Sequence, residues 1–238
     1  MQTIKLQQIN KNFKSKQALK NISMEFHNDK INGLLGPNGS GKTTLFNIIS
    51  GFLSPNDGQI LLDGRDLTKL SLSARSKLGI SYLPQEASIF RDMSVYDNIH
   101  SIAELFHEKK KSLDITNKLI EQFSLTNFQR TKGKLLSGGE RRRTEIARAL
   151  ASDPKFLLLD EPFAGIDPIA IEEVKSTIAF LKKINIGIII TDHNVKEALS
   201  IVDFGYIIYN GEIIKSGNPK EITTDSFVKK IYLGKNYQ

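Results

Sequence analysis

The chain of 238 residues contains no cysteine and no tryptophan. Without cysteine, a disulfide framework, a thiolate metal site and cysteine catalysis are excluded, and the composition fits a reducing compartment. No apolar stretch approaches the roughly 18–20 residues that a membrane-spanning helix needs. Residues 1–5 lack the apolar core of a secretory signal. We therefore expect a cytoplasmic protein that meets a membrane only through a partner.

The net charge of +7 has two interpretations. A basic surface suits anionic lipid or nucleic acid, whereas a lysine-rich chain also arises from the compositional bias of a genome. We favour compositional bias and expect no nucleic-acid partner. The lysine cluster at 109–111 is expected in a solvated loop, and the arginine run at 141–143 on a solvated helix face.

The periodicity of apolar residues predicts an α/β protein. A pair of short apolar runs joined at Asn210-Gly211 predicts a β-hairpin with a type I′ turn. The tail at 226–233 has the pattern of an amphipathic helix. Strands are predicted at residues 4–9, 22–26, 31–35, 59–62, 79–83, 156–159, 186–190, 204–209 and 212–215, and helices at 44–50, within 95–152 and at 169–183.

This order of elements predicts one domain covering residues 1–238. Residues 1–85 and 153–238 form a nucleotide-binding α/β core with an antiparallel β layer. Residues 86–152, where the pattern is helical, form an inserted helical subdomain.

Residues 36–43 read Gly-Pro-Asn-Gly-Ser-Gly-Lys-Thr and match the phosphate-binding P-loop, G-x-x-x-x-G-K-[ST]. The glycines let backbone N–H groups turn towards a phosphate, and the following helix directs its positive end there. Lys42 can then reach the β- and γ-phosphates, and Thr43 can bind Mg²⁺. A glycine-rich turn that only resembles a P-loop is the alternative. The expected ATP-binding residues are Gly36, Pro37, Asn38, Gly39, Ser40, Gly41, Lys42, Thr43 and Thr44.

Further motifs follow in a fixed order along the chain. Gln85 precedes the segment Leu-Ser-Gly-Gly-Glu at 136–140, which comes before a helical pattern. The apolar run at 156–159 then ends in Asp160 and Glu161, and Asp167 and His193 come later. Each feature alone has a simpler interpretation, such as a helix cap, a turn or a surface histidine. Together they resemble the ordered motifs of ATP-binding cassette (ABC) ATPases over most of the chain.

The resemblance implies the fold of P-loop NTPases of the ABC type, with a RecA-like core, an antiparallel β layer and a helical subdomain. It also implies a homodimer that binds two ATP molecules at a head-to-tail interface. The P-loop of one protomer holds ATP, and the signature segment of the other closes over the γ-phosphate. A helix N-terminus suits that position, because it offers N–H groups to an anion. The signature residues are Ser137, Gly138, Gly139 and Glu140.

The resemblance further assigns roles around the reacting phosphate. Thr43, Gln85 and Asp160 would hold Mg²⁺, the last of them through water. Glu161 would act as general base or position the attacking water, and Gln85 and His193 would assist it. Adjacent carboxylates can serve different roles because successive side chains of a strand point in opposite directions.

Two other residues receive roles in the same way. Asp167 would join the protomers near the catalytic water. Phe13 would stack on adenine, and a buried core position is the alternative for this side chain.

The segment Glu-Ala-Ser-Ile-Phe at 86–90 narrows the resemblance to the ATPases of lipopolysaccharide exporters. This likeness implies two inner-membrane subunits of the LptF and LptG type, and a peripheral position on the cytoplasmic face of the inner membrane. Phe90 and Arg91 would lie in the groove that receives a partner helix, and burial of Phe90 inside the helical insert is the alternative. Other cargoes, such as a branched-chain amino acid or another lipid, and a soluble assembly scaffold remain rival functions.

Overall fold

The computed structural model describes residues 2–14 and 16–234, which fold around two β-sheets. The strands are β1 (Thr3–Phe13), β2 (Lys16–His27), β3 (Ile31–Leu35), β4 (Asp57–Leu62), β5 (Arg65–Asp66), β6 (Ile80–Leu83), β7 (Phe156–Asp160), β8 (Gly187–Thr191), β9 (Phe204–Tyr209) and β10 (Glu212–Gly217). The helices are α1 (Lys42–Ser50), α2 (Leu72–Lys77), α3 (Val95–Phe106), α4 (Lys109–Gln122), α5 (Gly138–Leu150), α6 (Pro168–Lys183), α7 (Val195–Leu199), α8 (Pro219–Thr224) and α9 (Ser226–Val228).

The larger sheet has six strands in the order β10-β9-β3-β8-β7-β6. Neighbouring strands from β9 to β6 run parallel, and β10 pairs antiparallel with β9. Every residue of β3, β7 and β8 is buried, as expected for central strands of a parallel sheet that is covered on both faces. Parallel order places the ends of β3, β7 and β8 at one edge, and the loops that follow them carry the predicted motifs.

The smaller sheet is the predicted antiparallel layer, in the order β2-β1-β4-β5. Its inner residues, among them Ile4, Leu6 and Phe26, share a core with Leu45 and Phe46 of α1. The β layer therefore packs against the helix that follows the P-loop.

Helices α3, α4 and α5 all lie in the range expected for the helical subdomain. Apolar residues of α3 and α4, including Val95, Ile99 and Leu119, share a second core with Ile146 of α5 and Leu159 of β7. The helical region is thus packed onto the parallel sheet. The boundaries at 86 and 152 stay a prediction.

Two local expectations differ from the structure in different degrees. The lysines at 109–111 form the first turn of α4 instead of a loop. The tail is helical over the predicted residues 226–233, but only its start, α9, is an α-helix, and Lys229–Leu233 form a π-helical turn. The short helices α2, α7 and α8 have no helical periodicity in the sequence and were not predicted.

Among the described residues, no helix is both long enough and apolar enough to span a bilayer.

Candidate nucleotide-binding and hydrolysis site

The P-loop connects β3 to α1, as predicted. Its glycines Gly36, Gly39 and Gly41 have φ angles of +150°, +76° and +114°, which residues with a Cβ rarely adopt. At Gly36 a Cβ would also lie 2.1 Å from the backbone oxygen of Ile208. The loop conformation therefore requires glycine.

Two P-loop side chains are buried with the loop. Lys42 is 6% exposed, and its Nζ donates to the carbonyl oxygens of Gly36 at 2.7 Å and Pro37 at 3.0 Å. Burial lowers the pKa of Lys42, and the nearby charges of Glu161 and Asp160 act in the opposite direction. Ser40 Oγ is buried without a hydrogen-bond partner. A buried cation and a free hydroxyl group in one loop suit a phosphate ligand.

Asp160 is the last residue of β7 and is held rigidly. Thr191 Oγ1, on the neighbouring strand β8, donates to Asp160 Oδ1 at 2.5 Å, and the Tyr82 hydroxyl of β6 donates to Oδ2 at 3.0 Å. Burial, followed by the charge of Asp160 and this hydrogen bond, raises the pKa of Tyr82. Sequence reasoning assigned no role to Tyr82, which lies in a predicted strand, or to Thr191, which directly follows another.

Glu161 lies beyond the end of β7, so strand alternation was the wrong reason for its orientation. Its φ of +45° turns the chain out of the sheet, and its N–H donates to the Thr191 carbonyl oxygen at 2.9 Å. Glu161 Oε2 lies 3.0 Å from His193 Nδ1. The structure thus brings together the predicted carboxylate and histidine, which are 32 residues apart in sequence.

A cleft of about 820 Å³ is lined by Lys42, Glu161 and Gln85. Phe13, which is 46% exposed, lines the same cleft, so Phe13 is not a core residue. Asp160 and His193 do not line this cleft. Of the predicted ATP-binding residues, the cleft contains Phe13, Asn38, Gly39, Gly41, Lys42, Thr43 and Thr44.

Asp192, to which sequence reasoning assigned no role, connects two turns of the site. Its buried carboxylate accepts hydrogen bonds from the N–H groups of Phe163 at 3.0 Å and Asn194 at 2.7 Å. Burial raises the pKa of Asp192, against these two hydrogen bonds and the charge of His193. The residue therefore ties the turn after Glu161 to the turn that carries His193.

Three predicted side chains carry oxygen atoms that fit Mg²⁺, and two of them, Thr43 and Gln85, line the cleft. Thr43 offers a hydroxyl, Gln85 an amide oxygen and Asp160 a carboxylate, which are the ligand types that Mg²⁺ prefers. Within residues 2–14 and 16–234, no cluster of three or more His, Cys, Asp or Glu side chains could hold a metal alone. Mg²⁺ is typically shared between one or two side chains, phosphates and water.

The signature segment starts helix α5. Ser137 is the N-cap: its Oγ accepts from Glu140 N at 3.4 Å, and Glu140 Oε2 accepts from Ser137 N at 2.9 Å, which forms a capping box. Gly138 and Gly139 line a second cleft of about 210 Å³, which Asp167 also lines. These signature glycines do not line the P-loop cleft.

Asp167 caps α6, accepting from the N–H groups of Ile169 and Ala170, both at 3.0 Å. Its side chain is exposed. The cap and the exposure are both compatible with the predicted place at a protomer interface.

Phe90 is 46% exposed and lines a third cleft, of about 370 Å³, which we call the Phe90 groove. Arg91 is exposed next to the groove without lining it. The arginine beside the ring is Arg148 of α5, whose guanidinium carbon lies 4.8 Å from the ring centroid. Other lining residues are Phe52, Leu72, Tyr82, Ile102 and Phe106.

Comparisons with known proteins agree with this geometry. A family model described as ABC transporter matches residues 19–164. The lipopolysaccharide export system ATP-binding protein LptB of Escherichia coli K12 is 44% identical, and that of Haemophilus influenzae Rd is 42% identical, each over 100% of both chains.

Among solved structures, the ADP conformation of MJ1267, an ATP-binding cassette of an ABC transporter, has a TM-score of 0.88 at 29% identity. The match covers 99% of this chain and 100% of that one. Proteins of this kind bind and hydrolyse ATP, and their cassettes work as dimers with transmembrane partners. The P-loop, the carboxylate edge and the full-length similarity together show that this chain is an ATPase of the ABC transporter family, of the LptB-like type.

Proposed function

We propose that the chain is the ATP-hydrolysing subunit of a transporter that extracts lipopolysaccharide from the inner membrane for export to the outer membrane. The observation that carries the proposal is the end-to-end similarity to LptB proteins of several species. The Phe90 groove supports it, because a half-exposed aromatic in an apolar cleft is a typical anchor for a partner.

ATP binds in the 820 Å³ cleft. Backbone N–H groups of the P-loop and the N-terminus of α1 hold the phosphates, and Lys42 transfers its hydrogen bonds from the loop carbonyls to phosphate oxygens. Phe13 stacks on the base. Thr43, Gln85 and Asp160 would hold Mg²⁺, which would stabilise the negative charge that develops on the phosphate oxygens during hydrolysis.

Glu161 accepts the proton of the attacking water or orients that water. His193 Nδ1 is 3.0 Å from Glu161 Oε2, so the imidazole holds a carboxylate that lines the cleft. Phosphoryl transfer depends on position and charge more than on covalent chemistry. Gln85 lines the same cleft as Glu161.

The site is completed by a second copy of the chain. Ser137 and Gly139 of one protomer close over the γ-phosphate held by the other, and Asp167 joins the protomers beside the catalytic water. The N-terminus of α5 supports this assignment, because free N–H groups of a first helical turn attract anions.

The dimer works on the cytoplasmic face of the inner membrane, attached through two transmembrane subunits of the LptF and LptG type. A helix of each subunit lies in the Phe90 groove. Closure of the dimer on ATP and its reopening after hydrolysis move the transmembrane helices.

The test is affinity purification of the chain from detergent-solubilised native membranes. We expect two related multi-span subunits of the lipopolysaccharide-export type to co-purify. Phe90→Ala should lower their yield, because it removes the exposed anchor. Leu105→Ala is the matched control, since Leu105 is 72% exposed on α3 and does not line the groove.

Three outcomes would contradict parts of the proposal. If permeases of an amino-acid importer, or soluble assembly proteins alone, co-purify with the chain, the assigned cargo is wrong, although the ATPase activity is unaffected. An unchanged yield with Phe90→Ala would remove the groove from the partner interface. An unfolded Phe90→Ala variant, detected by circular dichroism, would mean that the ring mainly supports the fold.

A further inference from the structure

The segment Ser88–Phe90, which carries the groove anchor, is attached to helix α5 by its backbone. Glu145 Oε1 accepts from the N–H of Ser88 at 2.8 Å and of Ile89 at 3.3 Å. Arg148 Nη1 donates to the Ser88 carbonyl oxygen at 2.7 Å, and its Nη2 donates to Ser88 Oγ at 2.7 Å. Residues from a single helix therefore hold both polar groups of the Ser88 backbone.

Glu145 is an unusual core residue. Its side chain is only 3% exposed, and a buried carboxylate is costly unless it is paired and hydrogen-bonded. Its second oxygen lies 3.4 Å from Arg142 Nη1. Burial lowers the pKa of Arg142 and of Arg148, and the charge of Glu145 opposes that effect for both. The proposed hydrolysis mechanism does not use this group.

Helix α5 also begins at the signature. Its N-cap is Ser137 and its first residues are Gly138 and Gly139. Glu145 lies about 12 Å further along the helix axis, at 1.5 Å per residue. A displacement of the segment at the groove therefore acts on the same rigid helix whose N-terminus faces the nucleotide of the second protomer.

We propose that Glu145 is a positioning residue that couples partner binding to the signature. When the partner binds in the Phe90 groove, Glu145 transmits the displacement of Ser88–Phe90 through α5 to Ser137. This inference rests on the proposed function, because it needs a partner in that groove. A carboxylate suits the task, since one oxygen can accept from two backbone N–H groups while the other faces Arg142. Apolar packing alone would allow the segment to slide along α5.

Glu145→Gln tests the proposal with little change in volume. The amide keeps one acceptor oxygen. Its NH₂ group, itself a donor, would face either the donor of Arg142 or the backbone N–H donors of Ser88 and Ile89, and so one set of hydrogen bonds is lost. The matched control is Glu104→Gln, because Glu104 is a 58% exposed glutamate on α3 that pairs with His100. If the amide variant does not fold, Glu145→Asp takes its place, since it keeps the charge and shortens the side chain by one methylene group.

The measurement uses the complete complex with its membrane subunits and the isolated chain. We expect Glu145→Gln complexes to retain their partners, while the ratio of ATPase turnover in the complex to turnover of the isolated chain falls by about 5-fold or more, as for a typical coupling energy. The KM for ATP should stay within the range of the wild type and of Glu104→Gln.

A wild-type ratio in complexes that retain their partners would overturn the proposal. Equal losses of turnover in the isolated chain and in the complex, with a lowered melting temperature, would also overturn it in favour of a purely structural role. Failure of the wild-type chain to bring down membrane subunits would instead refute the proposed function, together with this inference. That result is read before any variant is made.

Discussion

Glu161 shows at the scale of one residue how the fold builds the hydrolysis site. Its left-handed backbone, with φ of +45°, is uncommon for a residue with a side chain and costs of the order of 1–3 kcal/mol. The hydrogen bond from the Glu161 N–H to the Thr191 carbonyl oxygen, 2.9 Å long, fixes this turn. Strain of this kind persists where neighbouring structure imposes it, and here it points the carboxylate towards His193.

We predict that Glu161→Gln keeps ATP binding and lowers turnover by roughly 10²–10⁴-fold, the usual effect of losing an acid/base group. The amide retains the size of the side chain but cannot accept a proton. Phosphate release and ATP titration calorimetry measure the two effects separately.

Glu172→Gln is the control for the Glu161 variant, because Glu172 is a largely exposed glutamate on the neighbouring helix α6. Near-normal turnover of Glu161→Gln would remove this residue from the catalytic role.

The residues of the site could be identified from sequence where a motif fixes both type and order. Lys42, Asp160 and His193 were predicted in that way. Lys42 lines the nucleotide cleft, whereas Asp160 and His193 do not line it, and His193 reaches it only through its contact with Glu161. Arg142 was not predicted well: it was expected on a solvated face, but its side chain is 14% exposed against Glu145. Helical periodicity does not reveal a buried ion pair, because its partners come from tertiary packing.

At the scale of elements, the β9–β10 hairpin supports the P-loop. Asn210 and Gly211 both have positive φ, +49° and +79°, as the predicted type I′ turn requires. The Gly211 N–H donates to the Ser40 carbonyl oxygen at 2.9 Å, and Lys20 N donates to Gly211 O at 2.8 Å. One turn thus links the edge of the larger sheet, the phosphate loop and the β layer.

We predict that Gly211→Ala destabilises the protein and weakens ATP binding. Left-handed strain costs about 1–2 kcal/mol. A Cβ at this position would lie 2.6 Å from the Ala18 carbonyl oxygen, which adds about 1–3 kcal/mol of overpacking and displaces the turn from Ser40. Urea unfolding and ATP titration calorimetry measure both effects.

Gly64→Ala separates strain from contact. Gly64 also has a left-handed φ, +83°, but a Cβ there would meet nothing within 4 Å. It should therefore show the cost of strain alone, with unchanged ATP affinity. Equal effects of the two variants would mean that the hairpin does not position the P-loop.

Strands with a compact apolar run followed from sequence more closely than the short helices. β3 and β9 have the predicted boundaries, because a continuous apolar run is bounded there by glycine or by the hairpin turn. The helices α2, α7 and α8 have five or six residues, too few for a period, and depend on side-chain caps from Ser71, Asn194 and Asn218. These helices form because of contacts with distant parts of the chain, which the local sequence pattern does not reveal.

At the scale of the whole molecule, ATP-binding and signature residues face different clefts. Lys42 lines the 820 Å³ cleft, and Gly138 and Gly139 line the 210 Å³ cleft. Glu161 and Gln85 border both. A single chain therefore presents two halves of a site on one surface, and a head-to-tail dimer would place each P-loop against a signature.

We predict that two inactive variants restore activity when they are mixed. Lys42→Ala removes the cation from its own P-loop, and Ser137→Ala removes the hydroxyl from the signature offered to the other protomer. A mixed dimer has one complete site, made of the P-loop of the Ser137→Ala chain and the signature of the Lys42→Ala chain. Free exchange makes about half of the dimers mixed, so about a quarter of wild-type turnover is expected for independent sites in a symmetric dimer.

The signal of complementation is turnover that rises on mixing above the mean of the separate variants and follows the fraction of mixed dimers. Adding a second sample of Lys42→Ala in place of Ser137→Ala controls for concentration. If each site were built within one chain, every protomer in the mixture would keep its own defect, and turnover would stay at the mean. Such a result would exclude the composite site and assign Ser137 only to the capping of α5.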